Sequence, residues 1–344
     1  MDKMKSKMNI FKKDIHFTRL LIIMLATLVV LSIIKTDKFL TLNSFQSMAY
    51  QFPQYALLSL GIMLAMISGG IDLSVVGIAN LSAILTAKTM LALIPEGAAT
   101  ETTGGAILLA ILIGLIGGIA AGFFNGVLIS RVGIPPILAT LASMQLFKGI
   151  SIVITEGKAM SGLPILYSNI GNSAVFNIVP VPLIVFIIVT IFVYFLLDKT
   201  VYGQKLYMVG TNQTAALFSG INVKRTLTVT YMFSGLLSAL AGLVMMATMN
   251  SAKADYGTQY TLQSILVVVL GGVNPNGGYG KIGSVTVAIL ILQFLSTGLN
   301  MFPEISNFYR SLIWGAVLLM VLVINHLLER RKLKRIAKGN TLAV

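Results

Sequence analysis

Apolar runs of near-membrane length recur along the whole chain, at 20–34, 54–68, 74–94, 105–130, 137–155, 179–197, 226–248, 259–272, 283–300 and 309–327. A bilayer offers no water to backbone amides, so each run must satisfy its own polar groups as a helix. The pattern predicts an all-α fold, a polytopic transmembrane helical bundle of about ten spans. A composition of 56% hydrophobic and 10% charged residues excludes an ordinary soluble domain. No polar stretch is long enough to build a second core. The expected organisation is a basic N-terminal segment (1–19), one membrane domain (20–327) and a basic tail (328–344). The first run follows a basic segment as a secretory signal would. No small-residue cleavage site follows Ile34, and Lys35-Thr36-Asp37 comes next, so it is expected to be the first span.

Charge sets the expected orientation. With ten spans and the N-terminus inside, eighteen Lys and Arg residues fall on the cytoplasmic side and four outside, namely Lys35, Lys38, Lys158 and Lys253. Short cytoplasmic loops collect basic residues, so both termini are expected in the cytoplasm. The net charge of +14 then follows from topology, and no nucleic-acid partner is expected. The tail Arg330-Arg331-Lys332-Leu333-Lys334-Arg335 is expected to rest on anionic membrane lipids. The chain has no cysteine, which excludes disulfides, thiol chemistry and thiolate metal sites.

Two segments interrupt the apolar pattern. Gly69-Gly70-Ile71-Asp72-Leu73-Ser74-Val75 places two glycines, a carboxylate and a hydroxyl between two apolar runs. The run 259–272 reaches only about 21 Å as a helix, against a hydrocarbon core of roughly 30 Å. It ends in Gly271-Gly272-Val273-Asn274-Pro275-Asn276-Gly277-Gly278-Tyr279-Gly280, which neither helix nor strand absorbs. Both breaks begin Gly-Gly-aliphatic, followed by Asp72 in one and Asn274 in the other. Paired irregular segments in a membrane protein point to a solute site or gate. The path or gate residues expected are therefore Gly69, Gly70, Asp72, Ser74, Asn80, Asn125, Lys148, Gly271, Gly272 and Asn274. Asp72 or Ser74 has a plainer reading, as a cap for the helix that follows. The glycines serve equally for close helix packing, as Gly114, Gly117, Gly118 and Gly122 are expected to do. The asparagines could simply bond between helices.

No Asp or Glu falls in mid-span, which argues against a proton-coupled carrier and a strongly charged solute. The asparagines suit a neutral, hydroxyl-rich one. His16 and His326 lie near opposite ends, so no triad, HExxH or metal cluster can be drawn, and no catalytic residue is expected. Gly280-Lys281 is followed by Ile282 and Gly157-Lys158 by Ala159, so neither forms a phosphate-binding P-loop. ATP, if used, must be bound elsewhere. Residues 198–225 are expected on the cytoplasmic side. Pattern alone reads them as a short surface helix closed by Gly220, of a kind that a peripheral subunit could push.

Five motifs in order resemble the permease subunits of ribose-type ATP-binding-cassette importers, which carry ribose, galactosides, rhamnose or autoinducer-2. They are residues 69–75, Phe124-Asn125-Gly126 leading to Ile134-Pro135-Pro136, Thr140-Leu141, the 210–220 loop, and Leu270-Gly271-Gly272 with its glycine-rich turn. The similarity covers about residues 55 to 325. Departures are Val76 for a usual Gly, Thr261 for a common Glu, 274–276 for a Ser-Leu pair, and Lys148 for a frequent Arg. The resemblance implies a multi-pass bacterial cell-membrane protein that is not itself an enzyme. It implies alternating access driven by two partner ATPases, which bind ATP and magnesium, and no cofactor in this chain. A second permease, identical or paralogous, and an extracytoplasmic sugar-binding protein complete the implied assembly. Its ATPase-docking loop corresponds here to Gly203, Gly210, Asn212, Ala215, Ala216, Gly220 and Ile221. The transported solute is expected to be a monosaccharide or similar polyol. The alternatives are an ion-coupled secondary carrier and a facilitative channel.

Overall fold

The structure is a computed structural model that describes residues 15–95, 100–302, 309, 312–317, 319, 320 and 323. Eight of its helices are long and apolar enough to cross a membrane: α1 (Ile15–Ile34), α3 (Leu42–Ile67), α4 (Val75–Leu93), α5 (Thr100–Val127), α6 (Pro136–Thr155), α8 (Val181–Asp198), α11 (Val223–Met249) and α13 (Ile282–Asn300). The ninth apolar run forms the 11-residue helix α12 (Tyr260–Leu270), too short to cross alone. Most of the expected run 309–327 and of the basic tail lies outside the described residues, although 312–317 are helical. The chain is a polytopic helical bundle. Shorter helices complete the connections: α2 (Thr36–Phe39), α7 (Ile165–Asn172), α9 (Val201–Thr211) and α10 (Gln213–Phe218).

α3 differs from expectation. It starts at Leu42, twelve residues before the apolar run, and carries Pro53 within it. The Thr41 hydroxyl caps it by accepting the Ser44 amide at 3.2 Å. The polar residues that lower hydropathy before Pro53 find partners across the fold. The Gln46 carboxamide donates to the Asn177 carbonyl at 2.8 Å and the Tyr50 hydroxyl to the Asn172 carbonyl at 3.1 Å. Tertiary bonding thus extends a helix that periodicity alone would stop.

α3 is the axis of the bundle. Phe52, Leu57, Leu60 and Leu64 pack with Val193 of α8, Leu266 of α12, and Val285 and Leu292 of α13. α4, α11 and α13 are mostly buried, whereas α1, α5, α6 and α8 turn most of their residues outward. Small residues bring α5 and α11 together: a Cβ at Gly126 would lie 2.8 Å from Thr228 Cα. One end of the bundle is pinned by two short antiparallel ribbons. β1 (Met160–Ser161) pairs with β4 (Ser251–Ala252), and β2 (Ala174–Val175) pairs with β3 (Val179–Pro180). The other end carries α9, α10, a π-helical turn (Leu128–Val132) and both glycine breaks.

Candidate functional site

Both breaks begin as the same device. After α3, the Gly69 amide bonds to the Met66 carbonyl at 3.0 Å and the Gly70 amide to Ala65 at 3.1 Å, with Gly69 at φ 88°. After α12, the Gly272 amide bonds to Val269 at 3.0 Å and the Val273 amide to Val268 at 3.2 Å, with Gly272 at φ 77°. These are paired Schellman closures, in which glycine accepts the left-handed conformation that ends a helix. Gly69 therefore corresponds to Gly272. The shared Gly-Gly-aliphatic pattern, which sets Asp72 beside Asn274, is thus offset by one residue from the shared closure. The periodicity of a glycine pair does not reveal which member turns left-handed.

Beyond its closure the first break folds into the protein. Asp72 is 0% exposed. Its carboxylate accepts the Ser74 amide at 3.0 Å, the Ser74 hydroxyl at 2.6 Å and the Ser234 hydroxyl from α11 at 2.7 Å. The Asn125 carboxamide of α5 donates to Ser74 Oγ at 2.7 Å. Thr140 of α6 accepts the Leu73 amide at 3.1 Å, and its own proton is within reach of the Ile71 carbonyl at 3.0 Å. Ser74 occupies the cap position of α4, but no side-chain cap bond forms there. The carboxylate instead ties the start of α4 to α11, and Ser74 links α5 to it, satisfying polar groups that burial would otherwise leave costly. Tyr231, fully buried beside Gly70, has a hydroxyl with no partner among the described residues.

The second break closes on itself and then on the first. Asn274 accepts the Asn276 amide through its side chain at 3.0 Å and the Gly277 amide through its carbonyl at 2.9 Å, while its own amide bonds to Tyr279 at 3.0 Å. The Gly278 amide then donates to the Ile67 carbonyl, the last residue of α3, at 2.9 Å. A Cβ at Gly277 would lie 2.8 Å from Gly69 Cα. α9 completes the junction, since a Cβ at Gly210 would lie 2.6 Å from the Gly278 nitrogen and closer still to the Ile67 carbonyl oxygen. The Tyr207 hydroxyl, also on α9, donates to the Gly280 carbonyl at 2.6 Å. Burial, with smaller contributions from Asp198 and Tyr279, pushes this phenol up to about 12, so it stays protonated and able to donate. Gly271 approaches Val285 of α13, and Gly272 approaches His16 of α1.

The segment 198–225, for which one short helix was expected, contains two, α9 and α10. Gly203 lets α9 fold back on α8, where a Cβ would lie 2.7 Å from the Leu196 carbonyl oxygen. Asn212 separates and caps α10 by accepting the Ala215 amide at 2.9 Å. Gly220, at φ 78°, ends α10 while Ile221 bonds back to Ala216 at 3.0 Å. Ala216 and Ile221 are buried against Val209 and Leu227, which fixes α10 on α11. The opposite face is open: Leu217 is 61% and Phe218 86% exposed. Beside it lies a groove of about 780 Å³ lined by Ile129, Gly133, Pro135, Gln213 and Leu217 among others.

Two candidates lie apart. The Asn80 carboxamide donates to the Ala254 and Tyr256 carbonyls, at 3.1 and 2.9 Å, and so holds the turn at the ribbon end. Lys148 is half-buried on outward-facing α6 and forms no ion pair with a described residue. Ser234, Thr140 and Phe218 were not among the candidates named as site residues. Thr140 carried a signal within its motif, whereas Ser234 is one serine among many on an apolar helix.

Residues 44–322 match the family described as branched-chain amino acid transport system / permease component. The chain is 34% identical over 327 residues to the ribose import permease protein RbsC of Bacillus subtilis (strain 168), covering 93% of this chain and 97% of that one. It is 32% identical over 296 residues to the D-allose transport system permease protein AlsC of Escherichia coli (strain K12), covering 86% of each. It is 31% identical over 309 residues to the autoinducer 2 import system permease protein LsrD of Escherichia coli O9:H4 (strain HS), covering 87% of this chain and 90% of that one. No solved structure matches.

Proposed function

Because the chain belongs to the branched-chain amino acid transport system / permease component family, we propose that it is the permease subunit of an ATP-binding-cassette importer for a monosaccharide or similar neutral polyol. It works in a bacterial cell membrane as one of two permeases, identical or paralogous. Partner ATPases bind ATP and magnesium, and an extracytoplasmic binding protein delivers the solute. The relatives named for ribose, D-allose and autoinducer 2 support a hydroxyl-rich cargo.

The observation that carries this reading is the backbone junction of Gly210 with Ile67 and Gly278. A rigid push on α9 and α10 is poorly absorbed at Gly210, because there the α9 backbone meets the Ile67 and Gly278 backbones directly. It reaches the ends of α3 and α12 and the start of α13 together. A packed contact with two arrangements is what alternating access needs, and the energy that favours one arrangement must come from nucleotide binding in the partner. The exposed Leu217 and Phe218 and the adjacent groove give an ATPase an apolar anchor.

The test is purification of the tagged chain from its native membrane in mild detergent, beside a Phe218→Glu variant. The expected result is co-purification of a P-loop ATPase with the parent, and its loss from a correctly inserted variant. Recovery of the chain alone, together with solute uptake driven by an ion gradient in liposomes, would overturn the reading.

A further inference from the structure

At the ribbon end, between α3, α12, α13 and the 312–317 helix, lies a cavity of about 60 Å³. Its polar wall is built from Gln51, Gln259, Gln263, Gln293 and Ser296. Tyr55, Tyr260 and Trp314 form the aromatic wall, and none of the described lining residues is charged. Gln51 and Gln259 are exposed at the mouth. Part of the wall is fixed in place. Gln293 accepts the Tyr55 hydroxyl at 3.2 Å and donates to Thr297 at 3.0 Å. Tyr260 donates to Gln54 at 3.2 Å, and Gln54 donates to Thr248 at 2.8 Å.

Gln263 is different. It is only 5% exposed, yet its carboxamide makes no hydrogen bond to a described residue. As a lining residue whose amide atoms are not sealed from solvent, it is left to take its partners from water or a solute in the cavity. A carboxamide offers donor and acceptor in one plane, which matches hydroxyls that both give and take a proton. Aromatic faces beside it suit the C–H side of a sugar. An uncharged lining offers a charged solute no partner. The volume holds about two waters, so it fits a pair of adjacent hydroxyls and not a whole ring.

We propose that this cavity binds the vicinal hydroxyls of a neutral sugar or polyol entering the permease, with Gln263 as the group that completes the site. The inference rests on the sugar-permease reading above and names where that cargo is first held. The cavity and the glycine junction lie at opposite ends of the same three helices. α3 runs from Gln51 to Ile67, α12 from Tyr260 to Leu270, and α13 returns from Ile282 to Gln293.

Trp314 is the only tryptophan in the chain, so its emission reports on this cavity alone. The full chain in lipid nanodiscs is titrated with D-ribose and with D-allose, alongside Gln263→Leu and Gln263→Met, which keep side-chain volume and break no existing bond. The expected result is a saturable change in emission with at least one sugar, and a midpoint raised about tenfold in both variants at unchanged melting temperature. No saturable change with either sugar, or unchanged midpoints in the variants, overturns the proposal. ATP-driven uptake of the labelled sugars by the assembled complex separates the two readings. Uptake without a Trp314 response sinks the site and leaves the transporter reading standing. A Gln263-dependent response without uptake does the reverse.

Discussion

Gly210→Ala is the sharpest test of the junction. The added Cβ would lie 2.6 Å from the Gly278 nitrogen, where an ordinary contact needs about 3.5 Å. Because the Ile67 carbonyl oxygen is closer still, α9 must retreat by more than about 1 Å, or the Gly278 amide must leave the Ile67 carbonyl, to which it is bonded at 2.9 Å. Overpacking of a tight contact costs about 1–3 kcal/mol, and a buried bond left unmade costs about 1–3 kcal/mol more. With relaxation shared between the two, we expect about 2–4 kcal/mol against the docked arrangement, a shift of about 30- to 1000-fold in its population. α9 is not a membrane span, so the loss should be local and insertion should survive. Hydrogen exchange by mass spectrometry should show faster exchange across 271–280 and 65–70, with little change in α4 or α11. ATP hydrolysis and solute uptake by the assembled complex should lose their proportionality. Parent-like exchange across 271–280 combined with fully coupled uptake would refute the argument that this contact transmits movement.

Asp72→Ala should lower the melting temperature as well as uptake, because three donors lose their acceptor at once, for a cost of about 3–5 kcal/mol. Asp72→Asn should cost about 1–2 kcal/mol, since its amide oxygen can keep both Ser74 bonds and the Ser234 hydroxyl can turn to accept; equal melting temperatures for the two variants would show that the three-donor arrangement does not stabilise the fold. Gly149→Ala has the opposite sign. That glycine sits inside α6 with nothing within 4 Å of an added Cβ, so a gain of about 0.5–1 kcal/mol with unchanged uptake is expected, and a loss would reveal a contact made only in the assembled transporter.

The bundle was legible because the bilayer is an unforgiving solvent. Eight long apolar helices follow from hydropathy and the need to satisfy backbone groups internally, as does the inability of 259–272 to cross alone. The ends of α3 and α12 were marked as well, since Gly-Gly after an apolar run is a helix stop by conformational freedom alone. Asn212 and Gly220 are punctuation of the same local kind, and the 210–220 loop was recognisable from them and from its resemblance to other permeases. Local rules fail at the next level. They could not say that Gly69, Gly210 and Gly277 meet, because what joins them is backbone approach across long stretches of chain, and a glycine chosen for close contact is indistinguishable in sequence from one chosen for a turn. They offered Asp72 as a path residue or a local cap and could not say that its third donor, Ser234, lies on a different helix. Gln51, Gln259, Gln263 and Gln293 were invisible as a group, each a single amide on an apolar helix until α3, α12 and α13 are packed side by side. Solvent and local stereochemistry set the elements and their ends; the partners of the buried polar groups, and with them the sites, exist only once distant helices have closed on one another.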